Sequence, residues 1–145
     1  MAGWVLARFI EMNLPGPVRD YASSSAMRVL AWFELNRVAD PNGEKPQYLA
    51  AGVHGGDGQP CDFTLIRVYT WGGRRKRYET AYVESNLCGK LPILIGKTPS
   101  GDPEFRFRAE VSSGTEERRY QMHQTVVRRV RDAEHPAAKL TPKPR

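Results

Sequence analysis

The sequence predicts an all-β fold: an antiparallel barrel or sandwich of about seven strands, one short helical turn and a disordered C-terminal tail. Three observations carry this. Apolar, β-branched and aromatic runs of strand length recur between turn signals. No long run follows a helical period. Phe105, Phe107, Ala109 and Val111 alternate with Arg106, Arg108 and Glu110, the two-residue period of a half-buried strand.

Residues 4–12 read as the first strand, with Trp4, Leu6 and Arg8 alternating with Val5, Ala7 and Phe9. Pro15 and Pro17 end it, because each withholds a backbone donor and fixes φ. Pro17 suits a first helical turn, so a short helix is expected over 17–22, stopped by the serines at 23–25. Met27 to Arg37 reads as a second strand. Its Val29-Leu30-Ala31 and Phe33 echo Val5-Leu6-Ala7 and Phe9, but one echo is no repeat architecture. Asp40-Pro41-Asn42-Gly43 is a strong turn signal. Gln47 to Val53 is a weaker strand, and residues 55–60 form a flexible glycine loop.

Phe63 to Trp71 and Arg77 to Glu84 read as a hairpin. Gly72 and Gly73 begin its turn, and Arg74, Arg75 and Lys76 make its tip basic. Leu91 to Ile95 is a short strand whose Pro92 fits an edge or entry position. Residues 104–131 read as a second hairpin, turning at Ser112-Ser113-Gly114-Thr115 and returning from about Arg118 to Val130. Beyond Arg131 the chain holds three prolines and one leucine, so 132–145 is expected to be a disordered tail. Residues 1–131 then form a single β-rich domain.

Hydrophobic residues make up 40% of the 145 and charged residues 26%, which fits a globular chain rather than a disordered one. Lys and Arg number 22 against 16 Asp and Glu, a net charge of +6. An excess of this size favours polyanionic partners such as nucleic acid, anionic lipid headgroups or acidic glycans; the partner expected is a protein or an anionic polymer, with nucleic acid as the alternative. No run reaches the ~20 apolar residues of a membrane-spanning helix. The N-terminus does not read as a secretory signal, which predicts a cytoplasmic chain as written. Cys61 and Cys88 make no disulfide framework. Two buried or partly buried thiols are expected, with one bridge in an oxidising compartment as the alternative.

The opening Gly3-Trp4-Val5 resembles the closing strand of bacterial Src-homology-3-like domains. Trp4 to Arg8, Met12, Pro15, Val18 and Tyr21-Ala22 resemble the region that follows such a domain in bacterial, notably acidobacterial, proteins without an assigned activity. Arg67-Val68, Trp71, Arg77 to Glu84, Asn86-Leu87, Gly89 and Leu91-Pro92 agree with the same region. The resemblance spans about residues 3–131. It implies an accessory interaction domain, with residues 1–12 as the last strand of a truncated barrel. It also implies a cell-envelope or periplasmic location where an export signal and the full module precede. A first strand without its barrel would invite self-association.

Candidates for chemistry are sparse. His54, Cys61, Cys88 and His123 lack the close spacing of a metal site, so neither metal nor cofactor is expected. The serines at 23–25 and Cys88 have no sequence-local base. By parity, Glu79 and Glu84 fall on opposite faces of one strand, which separates them as an acid/base pair. Gly55-Gly56-Asp57-Gly58 lacks the Gly-Lys-Ser/Thr of a phosphate loop. The surface expected to matter is Arg74, Arg75, Lys76 and Arg77 with Tyr69, Trp71, Tyr78 and Tyr82 beside them. Arginines pair with anionic groups and aromatics offer stacking faces. Arg106, Arg108, Arg118, Arg119, Arg128, Arg129 and Arg131 would extend that charge if the second hairpin lies alongside. The expected function is a non-catalytic interaction domain, with a nucleic-acid-binding β-barrel as the alternative and an enzyme site built from distant residues as the third reading. Cationic hairpins also serve simply to keep sheet edges from pairing.

Overall fold

The computed structural model describes residues 14–54 and 60–131. The expected first strand at 4–12, most of the glycine loop and the tail at 132–145 lie outside the described residues. The rest is a sandwich of two four-stranded antiparallel sheets with one helix. The first sheet runs β1 (Met27–Val38), β2 (Lys45–His54), β3 (Leu65–Gly72), β4 (Arg77–Glu84) in chain order. The second runs β5 (Gly89–Lys97), β6 (Pro103–Val111), β7 (Gly114–His123), β8 (Val126–Val130). Each is a simple meander, which short loops favour.

One core lies between the sheets. Leu49, Ile66 and Val68 of the first sheet meet Phe105, Phe107, Tyr120 and Met122 of the second. The alternation of β6 is realised: Phe105, Phe107 and Ala109 are buried, while Arg106, Arg108 and Glu110 are exposed. Phe63, just before β3, meets Phe107 edge-on at 5.0 Å between ring centroids.

A second, smaller cluster covers the outer face of the first sheet. Helix α1 (Gly16–Ser24) places Val18 and Ala22 over Met27, Val29, Ala50, Leu65 and Tyr69. Pro17 lies in its first turn, as the sequence suggested, but the helix continues through Ser23 and Ser24. The serine hydroxyls add to the helix end: Ser24 and Ser25 both donate to the Tyr21 carbonyl, which also accepts the Ser25 backbone N–H. Ala26 then takes a left-handed conformation at φ 57° and turns the chain into β1.

Three further expectations change. The return strand after Gly114 is two strands, because Gln124 adopts φ 58° and makes a tight turn before Val126. Cys61 and Cys88 are joined as a disulfide, so they are not thiols. The bridge ties the approach to β3 to the crossover between sheets. Beside it, Phe63 and Gly89 form an isolated antiparallel bridge. A Cβ at Gly89 would lie 2.2 Å from the Phe63 ring, so only glycine permits this approach.

Glu79 and Glu84 are the third. β4 carries an extra residue at Ala81, because Val68 pairs with Tyr82 while Tyr69 pairs with Thr80. Such a bulge resets parity along a strand. Glu79 stands opposite Thr70 and Glu84 opposite Ile66. Cross-strand partners share a face, so both glutamates lie on the inner side rather than on opposite faces.

Candidate functional site

The β3–β4 hairpin holds the candidate surface. Gly72 pairs with Arg77, leaving residues 73–76 as the turn, with Lys76 at φ 53°. Arg74, Arg75, Lys76 and Arg77 are all exposed. Among the described residues none of these four enters an ion pair. Asp40 lies within electrostatic reach of Lys76, and adjacent cations outside any ion pair keep most of their field available to a partner.

The four aromatics do not form one face. Trp71 and Tyr78 stand opposite each other on the helix side, edge-to-face at 5.3 Å, and both are partly exposed. Tyr69 is on the same side but wholly buried, stacked on Tyr21 at 5.3 Å beneath α1. Tyr82 faces the opposite side, packed against the core between the sheets. The bulge at Ala81 accounts for this: Tyr78 and Tyr82 have equal parity yet lie on different faces.

The two aromatics that do flank the tip are anchored. Trp71 Nε1 donates to Asp40 Oδ1 at 2.8 Å, and Lys45 Nζ lies 4.9 Å from its ring centre. Asp40 belongs to the predicted turn, where its other carboxylate oxygen accepts from the Asn42 backbone N–H. The Trp71 hydrogen bond, with that of Asn42, holds the Asp40 carboxyl below the usual carboxylate range. Tyr78 donates to the Pro46 carbonyl at 2.8 Å, and its own carbonyl accepts from the Tyr21 hydroxyl. Burial pushes the Tyr78 hydroxyl up to about 12, and does the same to Tyr69. A shallow hollow of about 410 Å³ lies beside the tip, lined by Pro17, Asp20, Tyr21, Arg77 and Tyr78.

The arginines of the second sheet do not simply extend this patch. Arg118 pairs with Glu84 at 2.9 Å and Glu116 at 2.7 Å, and Arg129 pairs with Glu116 at 3.0 Å. Arg119 pairs with Glu104 at 3.5 Å. Arg118 meets β4 at its Glu84 end, about 23 Å along the strand from Arg77.

Sequence reasoning missed the polar cluster around Glu84. Its carboxylate accepts from the hydroxyls of Tyr82 at 2.7 Å and Tyr120 at 2.9 Å and from Arg118. Burial, with Glu84 beside them, raises both tyrosine pKa values. Arg118 lowers the pKa of Glu116 through its hydrogen bond. The cluster closes the end of the sandwich where β4 meets β7 and β8. Its only sequence signal, parity, pointed the wrong way at the bulge.

The metal candidates do not converge. Cys61 and Cys88 are consumed by their bond, and exposed His123 pairs with Asp102 at 3.1 Å. Among the described residues no group of three His, Cys, Asp or Glu is placed to hold an ion. No described helix is long and apolar enough to cross a membrane. The chain matches no family model, no curated protein and no solved structure.

Proposed function

We propose that this chain is a β-rich interaction domain that holds an anionic partner on the β3–β4 hairpin tip. The observation that carries the reading is the contrast in charge pairing. Arg74 to Arg77 stand exposed outside any ion pair among the described residues, while Arg118, Arg119 and Arg129 of the second sheet pair with carboxylates. An exposed cation cluster on a rigid hairpin attracts and orients a polyanion before contact. The resemblance to the region behind bacterial Src-homology-3-like domains supports an accessory, non-catalytic role. The Cys61–Cys88 bond supports work in an oxidising compartment such as the periplasm.

Trp71 and Tyr78 beside the tip favour nucleic acid as the alternative partner, since partly exposed rings can stack on bases. Their anchoring to Asp40 and Pro46 favours a framework role instead.

Titration of the chain with polyglutamate and with a single-stranded oligonucleotide across a salt series tests the proposal. Binding should weaken steeply with salt; on the oligonucleotide, four engaged cations give a log–log slope of about −3. Replacing Arg74, Arg75 and Arg77 by Ala should flatten it to about −1. Tight binding of the oligonucleotide alone would select the nucleic-acid reading. No binding of either polyanion at low salt would overturn both.

A further inference from the structure

We infer that the partner held on the basic tip is a polypeptide, one that sets an uncharged aliphatic side chain in the hollow beside Arg77 and lays its carboxylates along the tip. The acidity of that partner rests on the hairpin reading; its class and its anchor come from the hollow. The hollow of about 410 Å³ lies where the first turns of α1 face the start of β4. Pro17, Asp20 and Tyr21 line one side and Arg77 and Tyr78 the other. It therefore adjoins the run of cations at Arg77.

The hydroxyls of its lining already have partners. Tyr21 donates to the Tyr78 carbonyl, and Tyr78 donates to the Pro46 carbonyl at 2.8 Å. Pro17 has no N–H to offer. A Cβ built on Gly16, at the same end of α1, meets nothing within 4 Å, so the backbone there leaves the hollow open. An occupant meets mainly ring carbon, which favours an apolar side chain. Both rings are held in place before anything binds. Tyr21 stacks on buried Tyr69 at 5.3 Å, and Tyr78 lies against Tyr48 at 5.8 Å. A preformed aromatic recess beside attracting charges suits an interface anchor.

The charges at the rim sort the partner's residues. Arg77 stands on the strand side and Asp20 on the helix side, both exposed and both outside any ion pair among the described residues. A carboxylate seated in the hollow would meet Asp20 as a like charge, whereas one displaced along the tip meets Arg74, Arg75 and Lys76. An uncharged residue flanked by acidic ones satisfies both sides.

Nucleic acid fits less well. Each nucleotide carries a phosphate, so a base seated in the hollow would bring negative charge towards Asp20. The rings that would stack on bases also have neighbours already: Tyr69 lies on Tyr21, and Lys45 Nζ lies 4.9 Å from the Trp71 ring centre.

The test uses three end-capped, dye-labelled hexapeptides of glutamate whose fourth residue is Leu, Ser or Glu, titrated against the full chain at low salt. The Leu peptide should bind about tenfold more tightly than the Ser peptide, which carries the same charge. It should also bind more tightly than hexaglutamate, despite having one charge fewer. Amide NMR shifts with the Leu peptide should include Asp20, Tyr21 and Tyr78 as well as residues 73–77. Asp20→Lys, at an exposed helix position, should narrow the preference for Leu over Glu to within about twofold. The Arg74/Arg75/Arg77→Ala variant should weaken all three peptides. Equal binding of the Leu and Ser peptides, with Asp20, Tyr21 and Tyr78 unmoved, would overturn the inference and leave the hairpin reading standing. No binding of any of the three would overturn both. A thymidylate hexanucleotide that binds more tightly than the Leu peptide and moves the same three amides would overturn it in favour of nucleic acid.

Discussion

The two sheets differ most on their outer faces. α1 covers the middle of that of the first sheet, burying Leu65 and Tyr69 beneath Val18 and Ala22, while Val83 towards the β4 edge stays exposed. The second sheet turns Arg106, Arg108 and Leu94 to solvent. β2 is consequently buried from Gln47 to Val53 without a break, whereas β6 alternates. A strand covered on both sides loses its two-residue period, and one covered on a single side keeps it. The helix-covered sheet carries the basic hairpin. The bare one keeps a groove beside its β5 edge.

That comparison can be broken by substitution. Phe107→Ala, on the inner face of β6, should cost about 3–5 kcal/mol, and its neighbour Arg106→Ala less than about 0.5 kcal/mol. Chemical denaturation measures both, and equal effects would reverse the face assignment. Replacing Cys61 and Cys88 by Ser removes a bridge that closes a separation of 27 residues and should cost about 3–4 kcal/mol. A loss below about 1 kcal/mol would mean the bridge constrains little.

A matched pair then sharpens the contrast between the outer faces. Leu65→Ala, beneath the helix, should cost about 3 kcal/mol, while Leu94→Ala on the bare face should stay within about 0.5 kcal/mol. Similar costs would show that the second face is covered in solution. The helix-covered face also carries a pH signature. Tyr69 and Tyr78 have folded pKa values near 12 against 10.0 unfolded. The folded state therefore holds protons that the unfolded chain releases, and stability complete below about pH 10 should fall as pH rises towards 12. Tyr69→Phe with Tyr78→Phe should make that decline shallower, read as the denaturation midpoint against pH. A midpoint equally steep in the variant would remove these tyrosines from the explanation.

The half-buried elements were legible in the sequence because one face alternates with the other, as in β6. β2 looked weak for the opposite reason: Leu49 to Val53 contains small and apolar residues throughout, which is what two covered faces require. The basic tip was legible from Gly72-Gly73 and the four cations after them. The grouping of its aromatics was not, because the single extra residue at Ala81 shifts Tyr82 and Glu84 to the inner face with no change in composition. The turn at Gln124-Thr125 carries no glycine, proline or asparagine, so nothing local announced it. The pairing of Cys61 with Cys88 depends on the crossover between sheets, a long-range arrangement that two isolated cysteines do not encode.

The most direct test of the charge-pairing argument is an amide NMR titration of the full chain with polyglutamate. The largest shifts should fall on Gly73 to Arg77 and the Trp71 indole, saturating before any change at Arg118, Arg119 or Arg129. Shifts centred on those paired arginines, with residues 73–77 unmoved, would contradict it.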